Sequence, residues 1–215
     1  MTARMDLTDV RREYESHGLR RRDMDADPVA QFGHWLQRAR ELDLLDATAM
    51  TLATVDTEGQ PSARIVLLKH YDHAGFCWYT DARSRKGREL DANPRGALLF
   101  HWRDLSRCVR VHGRVERLSA ADADQYFHSR PQNSRFSAAS SHQSAVIESR
   151  DALEAEVARL RAAYPDGDVP RPQDWLGFRL APDYFEFWQG QDSRLHDRIV
   201  YQPVADGWVM QRLSP

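Results

Sequence analysis

The sequence predicts a mainly β, antiparallel barrel with helical decoration. Short runs rich in β-branched and aromatic residues follow one another across brief polar turns, as in a meander. At least six such runs occur with helices between some of them, but without the regular strand-helix alternation of a parallel sheet. At 215 residues the chain is long enough for one domain with a proper core, placed here at 28–215 behind an N-terminal arm at 1–27.

The arm carries Arg11, Arg12, Arg20, Arg21 and Arg22 with few apolar anchors, so it is expected to order only where it finds a surface to lie on. A helix should begin at Pro28, capped by Asp27, and bury Phe32, Trp35, Leu36 and Ala39 at helical spacing. At Ala49 the period changes. AMTLATV, then SARIVLLKHY after the turn DTEGQ, then FCWYT after HAG suit successive strands.

Residues 84–92 suit a short helix stopped by Asn93-Pro94, and ALLFHW and CVRVHGRVERL add two strands. Ser119 with Asp122 opens a helix ending near Arg130. A charged helix over about 148–163 places Leu153, Val157 and Leu160 on one face, ahead of the break PDGDVPRPQ. Strands resume at 177–180, 184–187, 199–202 and 208–213, and no internal repeat is present.

Composition excludes several function classes. A formal net charge of -2 with 29% charged residues gives no general polyanion-binding signature, so nucleic acid is not an expected partner. The first residues lack an apolar signal-peptide core, and no later window approaches a membrane span, which predicts a cytoplasmic protein. Cys77 and Cys108 stand far apart on expected strands and suit reduced, buried thiols. The His residues are scattered, so no metal site is expected.

Four segments concentrate chemistry. In QGQDSRLHDR, residues 189–198, Arg194, His196 and Arg198 recur at period two and would project from one face of an extended segment, where they would attract an anion. A solvated edge strand would use the same residues to discourage aggregation. Ser84, Arg85 and Lys86 open a helix, where the macrodipole disfavours each cation by roughly 0.3–1 kcal/mol yet suits a phosphate; both side chains could also simply face water. Arg64 and Lys69 bracket an apolar strand on opposite faces. Tyr126, Arg130 and Ser134, at a helix end and the loop after it, form a donor set for a second phosphate, although arginine also suits a helix C-terminus. With no glycine-rich nucleotide loop, nucleophile elbow or zinc helix, two phosphate-sized clusters and abundant aromatics point to a phosphorylated cofactor that performs the hard step.

The segments RREYESHGLRRRD, RIVLLKHYD, YTDARSRKGREL, YFHSRPQNS, HQS and FEFWQGQDSRLHDR through RLSP, in this order, closely resemble the pyridoxamine 5′-phosphate oxidase family. The resemblance implies an FMN-binding split β-barrel and a homodimer with its active sites at the subunit interface. Position by position, Arg64, Arg85, Lys86, Gln143 and Ser144 resemble contacts to the FMN phosphate and ribityl chain. By the same resemblance Ile65, Val66, Leu67, Leu68 and Lys69 match the family's FMN-binding strand. Tyr79, Thr80, Trp188 and Arg198 resemble further flavin contacts, and Cys108 stands where the family usually carries a glutamine.

Lys69, Tyr126, Arg130 and Ser134 resemble the clamp on the substrate phosphate, and Arg194 and His196 the residues that hold the pyridine ring against the flavin. Arg11 and Tyr14 match an arm that covers the site. Asp46 matches an active-site acid, though a helix-to-strand turn explains it equally simply. The implied reaction oxidises pyridoxamine or pyridoxine 5′-phosphate with O2 to pyridoxal 5′-phosphate and hydrogen peroxide, with ammonia from the amine substrate after imine hydrolysis. A phenazine-pathway flavin oxidase of the same fold, or a non-catalytic flavin or pyridoxal phosphate carrier, are the alternatives.

Overall fold

The structure, a computed structural model, describes residues 18–215, so the expected roles of Arg11 and Tyr14 lie outside the described residues. In chain order the main elements are α1 (Pro28–Glu41), β1 (Ala49–Val55), β2 (Pro61–Leu67), β3 (His70–Asp72), β4 (Gly75–Asp81), α2 (Arg85–Ala92), β5 (Arg95–Trp102) and β6 (Arg107–Arg117). They continue with α3 (Ala120–Ser129), α4 (Gln132–Ser140), α5 (Arg150–Ala163), β7 (Trp175–Gln189), β8 (Asp197–Val204) and β9 (Gly207–Leu213). The strands hydrogen-bond in the order β2-β1-β5-β6-β7-β4-β3, with β8 added to β7 and β9 to β8. β1–β2, β3–β4, β4–β7, β7–β8 and β8–β9 are antiparallel, as expected.

Contacts divide the described chain into two compact units. One comprises residues 18–47, 99–110 and 184–215. Its helix α1 starts as the sequence dictates, with the Asp27 carboxylate accepting from Val29 N at 2.9 Å. The apolar face of α1 buries Phe32 against Phe100, ring centroids 4.8 Å apart, and Trp35 edge-on to Phe187 at 5.2 Å. The described end of the arm is tied down in this unit. Leu19 N donates to Asp197 at 2.8 Å, Arg212 donates to Leu19 O, and Tyr201 OH donates to Asp25 O at 2.8 Å.

The other unit comprises residues 48–98 and 111–183. Alternation along β1 turns Met50, Leu52 and Thr54 inward, and Phe76, Trp78, Leu98, Val111, Phe178 and Leu180 complete the core. A second cluster of Phe127, Phe136, Leu160, Val169 and Trp175 joins α3, α4 and α5. The capping box of Ser119 and Asp122 starts α3 as predicted. Gly75, with φ 142°, sits where a Cβ would come within 2.1 Å of Leu180 O, so close strand approach excludes any side chain there.

Four local expectations need correction. SARIVLLKHY is not one strand: it breaks after Leu67, because Leu68 turns inward, with N donating to Thr48 O at 2.9 Å, and Lys69 N is held by Cys77 O at 2.9 Å. The opposite-face argument for Arg64 and Lys69 therefore fails. Secondly, β7 runs continuously where two strands were expected. Pro182 falls between the stretch paired with β4 and the stretch paired with β8, so its missing N–H costs no ladder bond to either.

Thirdly, the serine-rich stretch taken as a loop after Arg130 is α4. Its sequence has no apolar period, and Phe136 docking in the aromatic cluster, with Arg161 donating to Asn133 at 3.0 Å, holds it in place. Finally, residues 190–196 are not an extended strand. They turn through a short 3-10 helix, Asp192–Arg194, with Ser193 and Arg194 at φ 54° and 60°. Gln191 N donates to His196 Nδ1 at 3.1 Å and Leu195 N to Asp192 O at 3.1 Å, so local closure overrides the period-two pattern.

Candidate active site

A cavity of about 870 Å³ opens in the second unit. Strand β2 and the second residue after it bring Arg64, Ile65, Val66, Leu67 and Lys69 to its wall; the intervening Leu68 is buried in the core instead. From β4 come Tyr79 and Thr80, from α2 Arg85 and Lys86, from α3 and its end Tyr126 and Arg130, from α4 Ser134, and from the following loop Gln143 and Ser144. The sequence expectation grouped these residues, and the fold brings them together.

One part of the wall is built on the start of α2. Ser84 caps the helix, and Gly87 lets it lie against the preceding turn. Lys86 is buried at 7% exposure; its ammonium donates to Ser84 Oγ at 3.2 Å and to Gln143 Oε1. Burial, helped by the charge of Arg64, pulls the Lys86 ammonium down to about 8. An anion beside it would favour the charged form further, which is what a phosphate supplies. Gln143 is itself fixed: Thr80 Oγ1 donates to its Oε1 at 2.8 Å, and its N–H donates to Asp81 at 3.3 Å. Asp81, 6% exposed, also binds Arg83 at 2.8 Å and was missed in the sequence, where nothing separates it from an ordinary turn aspartate.

A second acid was also missed. Glu89 is 4% exposed and accepts from Arg85, Arg64, Ser62 and Thr54. Burial alone would raise its carboxyl, but these hydrogen bonds outweigh it and hold the group at about 2. Because the folded value lies below the ordinary 4.5, Glu89 stabilises the fold fully above pH 4.5, and that contribution disappears as pH falls through about 2. At about 1.4 kcal/mol per tenfold change in proton affinity, the drop from 4.5 to about 2 puts roughly 3.5 kcal/mol at stake. Thermal melts between pH 5 and pH 2 should therefore fall less steeply in Glu89→Gln than in the unsubstituted protein, and parallel curves would refute this.

Elsewhere on the wall the rings of Tyr79, Tyr126 and Trp175 stack, with centroids 4.1 Å apart for the tyrosines and 5.5 Å from Tyr79 to Trp175. The Arg130 guanidinium lies over the Trp175 ring at 4.8 Å, and its NH1 is buried without a hydrogen-bond partner among the described residues. A buried orphan donor on a charged group is costly unless a ligand completes it.

The remaining expected residues within the described chain lie in the first unit and do not line this cavity. Trp188 and His196 pack with ring centroids 4.8 Å apart. Arg198 donates to Glu186 through Nε at 2.8 Å, and Arg110 reaches the same carboxylate at 2.9 Å. Arg194 is exposed in its turn, and Asp46 is exposed at φ 53°, in the helix-to-strand turn that the simpler explanation required. Cys108 is half-buried, and burial pushes its thiol up to about 11, so it is neutral.

A family model described as pyridoxamine 5′-phosphate oxidase matches residues 36–164, and one described as the pyridoxine 5′-phosphate oxidase C-terminal dimerisation region matches residues 175–215. The chain belongs to the pyridoxamine 5′-phosphate oxidase family. It is 51% identical to the pyridoxine/pyridoxamine 5′-phosphate oxidase of Herminiimonas arsenicoxydans, over 98% of this chain and 100% of that one. The corresponding enzyme of Bordetella avium is 52% identical with the same coverage. Among solved structures, PhzG from Burkholderia lata 383, in complex with tetrahydrophenazine-1-carboxylic acid, superposes with TM-score 0.85 at 30% identity, covering 90% of this chain and 95% of that one. A pyridoxamine 5′-phosphate oxidase-related, FMN-binding protein of Nostoc punctiforme, at TM-score 0.69 and 18% identity over 86% of this chain and 96% of its own, shares the fold. The split-barrel class expected from the sequence is thus the family's fold.

Proposed function

We propose that the protein oxidises pyridoxamine and pyridoxine 5′-phosphates with O2 to pyridoxal 5′-phosphate and hydrogen peroxide, using FMN, with the amine's nitrogen leaving as ammonia after water hydrolyses the imine. The observation that carries this reading is the cavity's double cationic lining, Arg64, Arg85 and Lys86 on one part and Lys69 and Arg130 on another, with the orphaned NH1 of Arg130 awaiting an acceptor. Two phosphates of different molecules satisfy that donor set. The full-length relatives support the same substrates.

Arg64, Arg85, Lys86 and Gln143, with Ser144 beside them, would hold the FMN phosphate and ribityl chain, and Tyr79 and Thr80 would line its path. Lys69, Tyr126, Arg130 and Ser134 would clamp the substrate phosphate, spending binding energy remote from the reacting carbon on its orientation. When bound, FMN would supply the hydride acceptor and the route of electrons to O2, giving hydrogen peroxide. Arg194, His196, Trp188 and Arg198 lie within the region matching the dimerisation model, so in this reading a second copy of the chain carries them to the cavity. The exposed Ile65 and Leu67 on the cavity-lining strand support such a dimer. Arg11 and Tyr14 would cover the bound substrate. Asp46 has no contact among the described residues that supports a catalytic step.

The deciding experiment is anaerobic: load the protein with FMN, add pyridoxine 5′-phosphate, follow flavin bleaching, then admit air. Bleaching, then recovery with peroxide and pyridoxal 5′-phosphate, is expected. A flavin that binds but never bleaches with either vitamin phosphate would favour a phenazine-type oxidase or a carrier, and no flavin binding would remove the FMN assignment.

Cys108 is a poor hydrogen-bond donor at a position where the resemblance calls for an amide. Cys108→Gln should tighten FMN about threefold to tenfold, the worth of one added hydrogen bond. Unchanged affinity and flavin potential would end that idea.

A further inference from the structure

Glu89 presents a contradiction: a buried carboxylate beside a subsite built for an anion weakens the positive field that should attract it. Its hydrogen bonds supply a reason for it to be there. Oε1 accepts from Arg85 Nε at 2.8 Å, while Oε2 accepts from Ser62 Oγ at 2.7 Å, from Arg64 at 3.1 Å and from Thr54. Arg64 is further fixed through NH1 to Leu52 O at 3.2 Å and to Thr54. Among the described residues Arg85 has no comparable support. Its side chain is 54% exposed, and its other acidic neighbour, Asp56, stands 3.9 Å away.

Anchoring an arginine by Nε leaves its two terminal nitrogens directed away from the anchor, as a fork for phosphate oxygens. Arg85 also lines the cavity. We propose that Glu89 is a positioning residue: it holds Arg64 and Arg85 in fixed directions around the cofactor-phosphate subsite, and this orientation outweighs the negative charge it brings. The inference rests on the FMN reading and adds to it a residue that need not touch the cofactor. An unanchored Arg85 would lose its direction to solvent, and each ligand would have to order it anew.

The test compares FMN with riboflavin, which lacks the phosphate. Dissociation constants for both are measured by fluorescence quenching in the full-length protein and in Glu89→Gln, at fixed ionic strength and without inorganic phosphate. FMN binding should weaken about tenfold and riboflavin binding less than twofold, so the preference for FMN falls at least fivefold. Equal weakening of both flavins means a merely structural role and overturns the proposal, as does an unchanged or increased preference. Failure of the unsubstituted protein to bind FMN would instead remove the cofactor reading, and the inference with it.

If Glu89→Gln does not fold, the unsubstituted protein labelled with 15N-arginine decides. The Arg85 Nε–H resonance, identified by its loss in Arg85→Lys, should exchange slowly with water both before and after FMN is added. Exchange as fast as that of an unpaired surface arginine would overturn the proposal.

Discussion

Arg130→Leu is expected to lower kcat/KM for pyridoxine 5′-phosphate by about 100-fold or more, chiefly through KM. Two charge-assisted bonds to a phosphate, at about 1.5–3 kcal/mol each, correspond to that loss, since about 1.4 kcal/mol is tenfold. The guanidinium is already in place, stacked on Trp175 at 4.8 Å and 6.0 Å from the Phe127 ring centre, so little ordering remains to be done when substrate arrives. Burial lowers its pKa, which means the charge is held at a cost that only an anion repays.

The stability consequence is small beside the functional one. Leucine removes an orphaned buried donor worth about 1–3 kcal/mol of penalty. It also forfeits a cation–π contact of about 0.5–2 kcal/mol. The variant should thus melt within about 1 kcal/mol of its parent, with FMN affinity unchanged, while oxidation of unphosphorylated pyridoxine is affected far less than that of the phosphate. An unaltered KM for the phosphorylated substrate would refute the clamp.

Gly87→Ala should destabilise the protein by about 3 kcal/mol or more, despite alanine being the better helix former. A Cβ at residue 87 would lie 2.0 Å from Ala82 O and 2.7 Å from Ala82 Cα. Both are backbone atoms of the turn that launches α2, so no side-chain rotation relieves the clash. The helix must move, and Lys86 moves with it, so weaker FMN binding should accompany the lower urea midpoint. A variant with the parent's midpoint would show that the turn can yield at no cost.

Much of the candidate site was legible because its signals are local. Ser84, Arg85 and Lys86 at a helix start, or Tyr126 and Arg130 at a helix end, need only a cap, a period and a charge to be noticed. Glu89 stood four residues from Arg85, a spacing that suggests only a surface ion pair; its burial and its bonds to β1 and β2 come from the sheet packing beneath the helix. Trp175, which no local signal singles out, supports Arg130, because the bend before β7 sets its ring among those of α3.

The failures have the same origin. A period-two pattern at 194–198 implied a strand, but a ring nitrogen of His196 captures Gln191 N and closes a turn instead. A helix without an apolar stripe, α4, exists because one phenylalanine is received by a cluster assembled from distant segments.

The sequence by itself determined the kinds and order of most elements, their caps, and which cations belong to anion sites, because each depends on neighbours within a few residues. Only the tertiary structure decided that Arg64 and Lys69 share one cavity, that Arg130 is left with an unmet donor, and that a buried carboxylate directs the arginines. Those outcomes depend on which strands lie side by side, and that is settled by packing across the whole chain.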